Sequence, residues 1–258
     1  TSSLVGSEMC IRDSGKDSLA MLEVISQNHL PLDRIVHVEI MATPSIPADL
    51  PPMMEFKSKA DQIIKQRYGI EVEHLCAPKS YEEYFYSPIR RKTSKNCGRI
   101  YGFPLQRGNW CNGRLKVEVI DKIQRGGIAY IGIAADEPKR FSIMSETKRC
   151  PLVEYGWTEK MCREWCSANN LLSPIYETSF RGGCWFCHNQ GVDQLRILRK
   201  KYPEYWSLLM RWDVDSPVAF KASGHTIHDF DLRFQMEEQG KIRSDIPFRW
   251  GMVTGCKR

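Results

Sequence analysis

The chain has 258 residues, 42% hydrophobic and 26% charged, with 37 Lys and Arg against 31 Asp and Glu for a net charge of +6. That balance suits one large domain, or a domain with an appendage, around a sizeable core, and excludes a disordered or collagen-like chain. No run of about 18 apolar residues exists to cross a membrane as a helix, and the absence of a leading apolar h-region makes the ten cysteines read as cytoplasmic thiols and metal ligands rather than a disulfide framework.

In chain order, Asp17–Asn28 predicts a helix with Leu19, Leu22 and Ile25 on one stripe, and Arg34–Met41 alternates like a strand. A Pro-rich segment, Pro44–Pro52, precedes a helix marked by Phe56, Ala60, Ile63 and Ile64, which Gly69 stops. Ile70–Leu75 reads as a short strand, and a long loop then leads to a helix near Arg114–Gln124. Ile128–Ala134 is a continuous apolar run of the kind found in buried parallel strands. Thr158 is placed to cap another helix. Strands alternating with helices predict an α/β fold, a Rossmann-like parallel sheet flanked by helices. Beyond about Phe180 the strand signal fades, so residues 15–180 form the predicted α/β domain and 181–258 a helical, cysteine-bearing region.

Charge is segregated. Pro88–Lys116 holds Arg90, Arg91, Lys92, Lys95, Arg99, Arg107, Arg114 and Lys116 with no acid, which exceeds the net charge of the whole chain. Tyr101, Phe103 and Trp110 are interleaved with these cations. The pattern suits an anionic partner, either a nucleotide or a nucleic-acid backbone, and charge alone does not choose between them.

Several short motifs carry chemistry. Gly15-Lys16-Asp17-Ser18 lies at a helix start, where a glycine and unpaired N–H groups suit an anion. Trp110-Cys111-Asn112-Gly113-Arg114-Leu115-Lys116 leads into a second helix, and its cations disfavour the helix dipole unless an anion offsets them. Gly132, Asp136, Glu137 and Arg140 follow the buried strand, where open α/β sheets bind ligands. Cys184-Trp185-Phe186-Cys187 has the spacing of a metal or iron–sulfur pair. Cys111 is the leading third ligand, with His188, Cys97 and Cys150 as candidates for a fourth. Cys162 and Cys166, four residues apart on a helix, read as core.

The order of these motifs resembles the phosphoadenosine phosphosulfate reductase family of the adenine-nucleotide alpha-hydrolase-like (PP-loop) superfamily, in its short bacterial and phage forms. Gly15, Lys16, Asp17 and Ser18 match the end of the family's S-G-G-K-D-S loop, which grips nucleotide phosphates. Cys111, Arg114 and Lys116 match a C-x-x-R-x-K helix start, Gly132, Glu137 and Arg140 the substrate segment, and Cys184 and Cys187 the later pair of a [4Fe–4S] cluster. The resemblance therefore implies an adenine nucleotide (ATP or the sulfonucleotide), an iron–sulfur cluster or zinc, and a protein donor of electrons or sulfur. Trp110 stands where cluster-bearing reductases have a second cysteine, Ala134 replaces an arginine, and the terminal E-C-G-x-H motif is reduced to Gly255-Cys256, leaving Cys256 as the catalytic candidate. Three cysteines also resemble the superfamily's ATP-pyrophosphatase-type sulfurtransferases, which act on nucleic acid. A nucleic-acid-binding module with a structural zinc is the reading from another class. Residues 2–14, SSLVGSEMCIRDS, resemble translated sequencing-adapter sequence, so residues 1–14 are expected to be non-native and the first strand missing, or replaced by Leu4–Ile11.

Overall fold

The structure, a computed structural model, describes residues 9–11, 15–104, 108–124, 127–141, 147–178 and 183–246. Its elements in chain order are β1 (Met9–Ile11), α1 (Lys16–Gln27), β2 (Arg34–Glu39), α2 (Pro51–Tyr68), β3 (Val72–Cys76), α3 (Tyr81–Phe85) and α4 (Trp110–Asn112). A π-helical turn (Gly113–Val117) follows, then α5 (Glu118–Ile123), β4 (Ala129–Ile131), α6 (Pro138–Phe141), β5 (Lys148–Arg149), α7 (Pro151–Glu154) and α8 (Glu159–Ala168). The last four are α9 (Ile175–Thr178), α10 (Val192–Lys201), α11 (Pro203–Asp215) and α12 (Ile227–Glu238). The chain divides into two units, Thr1–Lys79 with Asn112–Cys184, and Ser80–Cys111 with Trp185–Arg258.

The first unit is a five-stranded sheet in the order β3-β2-β1-β4-β5, parallel at every pairing. It is the Rossmann-like α/β arrangement that the alternation of strands and helices predicts. One sheet face carries Ile35 and Tyr130 against Leu19, Leu22 and Ile25 of α1 and Phe56, Ala60 and Ile64 of α2. The other carries Met9, Val36 and Ala129 beneath Ile120 and Ile123. A parallel sheet covered on both faces needs apolar residues on both, which explains the unbroken run around β4. Helix α1 is buried from Leu19 to Ile25 and packs on α7 and α8. Each fully buried Leu or Ile there contributes roughly 1.5–3 kcal/mol. Helix α2 ends where predicted: Gly69, at φ 72°, takes the left-handed cap and donates its N–H to the Lys65 carbonyl. Thr158 caps α8 by accepting from the Met161 N–H.

The first strand is present. Met9–Ile11, within the Leu4–Ile11 segment, fills the central position, pairing with β2 on one side and β4 on the other, so the sheet does not lack its first strand. So short an apolar segment suffices because ladder partners on both sides satisfy its peptide groups. Met9 and Cys10 are 2% and 0% exposed, which makes Cys10 a core residue.

The second unit joins residues 80–111 to the helical region predicted from residue 181 onward. Helix α3 starts with a capping box in which Ser80 and Glu83 satisfy each other's backbone N–H groups. Its Tyr81 and Phe85 pack with Trp212, and Tyr81 also with Phe186. Phe103 is core, edge-on to Phe85 and Phe220, rather than an aromatic displayed among the cations. This aromatic packing, between residues over a hundred positions apart, is why the boundary differs from a simple division near residue 180. Helices α10, α11 and α12 are tied by Arg199 and Trp206, which both donate to Asp231. Arg233, 2% exposed, bonds to Glu237 and to the Arg243 and Ile246 carbonyls. A buried guanidinium is tolerable only when so paired.

Candidate functional site

The sheet order reverses at β1, with β2 on one side and β4 on the other. Open α/β sheets bind ligands at that switch point, outside the carboxyl ends of the strands. A cavity of about 350 Å³ lies there, with Gly15, Asp17 and Ser18 at the start of α1 and Gly132 beyond β4 among its lining. Three cations from separate segments, Lys116, Arg140 and Lys148, also line it. A Cβ on Gly132 would come 2.8 Å from Ser18 N and Cα, so the glycine lets the end of β4 touch the first turn of α1.

Lys16 is held away from this lining. Its ammonium is 2.9 Å from Asp17 and 3.2 Å from Glu159, and its backbone N–H donates to the Tyr176 hydroxyl. Burial opposes the charge on Lys16, but Asp17 and Glu159 more than offset it and raise its pKa. Burial pushes the Asp17 carboxyl up, and Lys16 offsets only part of that.

The substrate segment divides between lining the cavity and serving the protein. Arg140 lines the cavity and bonds to Glu137 at 2.8 and 2.7 Å. The Asp136 carboxylate accepts from the Glu159 N–H at the start of α8. Arg114 pairs with Glu118, one turn along, at 2.8 Å. Of the predicted anion ligands, the cavity therefore gathers Gly15, Asp17, Ser18, Lys116, Gly132 and Arg140, and adds Lys148, which lies on a two-residue strand that carries no periodic signal.

The predicted metal ligands have varied surroundings. Among the described residues, the sets of three ligating atoms gathered within 4.8 Å are His37–Glu39–His74 and Asp17–Glu137–Glu159, and neither contains a cysteine. Cys187 is half-buried. His188 is 5% exposed, and neither of its ring nitrogens has a hydrogen-bond partner among the described residues. Burial, and then the nearby Lys221, lower the His188 pKa, which keeps a lone pair available. Burial pulls the Lys221 ammonium down to about 8, with Cys187 acting the other way. Trp110 and Phe186, the chain neighbours of Cys111 and Cys187, both pack on Tyr81, with ring centroids 5.0 and 4.2 Å away.

Cys150 is 1% exposed and burial pushes its thiol up to about 11, which disfavours the thiolate a metal requires. Cys97 is exposed, as are Arg90, Arg91, Lys92, Lys95 and Arg99 in a loop closed by the Pro88–Ile100 bridge. Cys162 and Cys166 are buried, as their helical spacing predicts. Cys256 and Arg107 lie outside the described residues.

Compared with protein-family models and with curated proteins, the chain matches none.

Proposed function

We propose that the chain binds an adenine nucleotide in the crevice between β1 and β4 and uses it in sulfur metabolism, as a sulfonucleotide reductase-like enzyme of the phosphoadenosine phosphosulfate reductase family. The observation that carries this reading is a switch-point cavity in which the start of α1 meets three cations. Its volume lies within the range of small-molecule sites. The N–H groups at the start of α1 would face one phosphate, while Lys116, Arg140 and Lys148 hold the more distant anion. Gly132 would keep the crevice closed behind the ligand.

Titration calorimetry with ATP and with the sulfonucleotide tests the reading. Lys116→Ala and Arg140→Ala are each expected to weaken binding about 10-fold, the loss of one charge-assisted hydrogen bond. If neither nucleotide binds the unaltered protein, the reading is wrong. Sulfite release from the sulfonucleotide would mark the reductase. ATP cleavage to pyrophosphate would mark the second reading, ATP-dependent sulfur transfer to nucleic acid, which the exposed Arg90–Arg99 cations favour.

The family resemblance also implies a metal group. The donor chemistry of Cys187 and His188 suits one: a half-buried thiol next in sequence to a buried imidazole whose nitrogens have no hydrogen-bond partner among the described residues. The resemblance assigns Cys111, Cys184 and Cys187 to an iron–sulfur cluster or zinc, and Cys187 with His188 is the part of that set this reading relies on. Such a group supplies electron transfer or a sulfide-handling site when it is a cluster, and structural closure when it is zinc. His188→Ala is expected to lower the iron that co-purifies with the protein, or the zinc that co-purifies in a His74→Ala background, by about 10-fold, judged by elemental analysis. Unchanged metal content would remove His188 from the ligand set.

A further inference from the structure

Strands β2 and β3 run side by side with His37 opposite His74 and Glu39 opposite Cys76. Side chains alternate across a strand, so all four share the sheet face that carries Ile35. The ligating atoms of His37, Glu39 and His74 lie within 4.8 Å of one another. His37 Nε2 is 3.3 Å from a Glu39 oxygen, and the two imidazoles meet edge-on with centroids 5.3 Å apart. His37 and Glu39 are buried, while His74 is open to solvent and provides a way in.

Neighbouring groups orient two of the three. Asp61 lies 2.9 Å from His74 Nε2, a hydrogen bond that orients the ring. The Lys57 ammonium donates to both Glu39 oxygens at 2.8 Å and is 2.6 Å from Asp49. A carboxylate has about four lone-pair sites, so Glu39 keeps acceptor capacity beyond Lys57. Two carboxylates, Glu39 and Asp49, face the one ammonium of Lys57, and a third, Asp61, faces His74. Three carboxylates against one ammonium leave negative charge in excess, which is unfavourable where the groups are buried.

We propose that His37, Glu39 and His74 form a binding site for one divalent transition-metal ion of the zinc class. Two imidazoles and a carboxylate are the donors such ions prefer over magnesium or calcium, and a +2 ion matches the charge excess. The proposal does not depend on the nucleotide reading. A buried ion-pair network needing no metal would place the same residues together, and zinc titration separates the two.

The 258-residue chain, as purified, is titrated with zinc chloride by calorimetry, alongside His74→Ala, Glu39→Gln and Cys187→Ser. The proposal expects one zinc equivalent that His74→Ala and Glu39→Gln each weaken by at least about 10-fold and that Cys187→Ser leaves intact. Zinc should also raise the thermal unfolding midpoint of the unaltered protein but not of His74→Ala. Because His74 is exposed, that variant is expected to fold. Unaltered zinc binding in His74→Ala, or no zinc equivalent remaining in Cys187→Ser, would overturn the proposal.

Discussion

Gly132→Ala is expected to destabilise the protein by about 3 kcal/mol, the upper part of the usual range for overpacking, and to abolish the nucleotide binding proposed for the crevice. The added Cβ would meet Ser18 N and Cα at 2.8 Å and the Asp17 carbonyl carbon at 3.0 Å. These are main-chain atoms in the first turn of α1, so no rotamer change relieves the clash. Either the end of β4 moves outward or α1 tilts, and both displace the N–H groups at the helix start. Denaturant unfolding measures the first effect and calorimetry with ATP the second. Stability within 0.5 kcal/mol of the parent, roughly the scatter of neutral surface changes, would show that α1 does not bear on this glycine.

Trp212→Ala is expected to cost about 3–5 kcal/mol, as large-to-small changes of buried aromatics do. Trp212 is 0% exposed and its ring centroid lies 5.2 to 5.9 Å from those of Tyr81, Phe85, Trp185 and Phe186. Its indole N–H also donates to Glu82 at 2.9 Å. Trp212→Phe should lose much less, since a ring still fills most of the space and Glu82 turns to water. Because Trp185 and Phe186 immediately precede Cys187, the alanine variant should also weaken the metal binding proposed for that cysteine. Guanidinium unfolding midpoints and metal content check both parts. A loss below about 1 kcal/mol for alanine would contradict the packing described.

Much of the fold was legible because its signals are local. Periodicity marked α1 and α2, alternation marked β2, and Gly69 and Thr158 marked helix ends to within a residue or two. Strand β1 was hidden because Met9-Cys10-Ile11 has no pattern of its own, and its neighbours β2 and β4 make it a strand. Lys16 matched a phosphate-loop position in sequence, yet its ammonium turns to Glu159, a partner 143 positions along the chain. Phe103 sat among cations in sequence but packs against Phe220, since a basic stretch and an aromatic core can alternate residue by residue. The His37–Glu39–His74 cluster went unread although its signal was available: in the strand-like RIVHVEIM, His37 and Glu39 fall on the same side as Ile35. An alternation scored only for apolar residues misses polar groups on an inward face.

The three-residue central strand also bears on how the chain must assemble. Met9 pairs with Arg34, close in sequence, but also with Ala129. The β1–β2–β3 half can therefore form from nearby segments, whereas joining β4 and β5 waits on closure of a loop of more than a hundred residues. Parallel pairings of such long range form slowly, and during synthesis the β4-facing edge of β1 stands unpaired until Ala129 has emerged. That interval, rather than the finished fold, is when the chain is most exposed to pairing with another copy of itself.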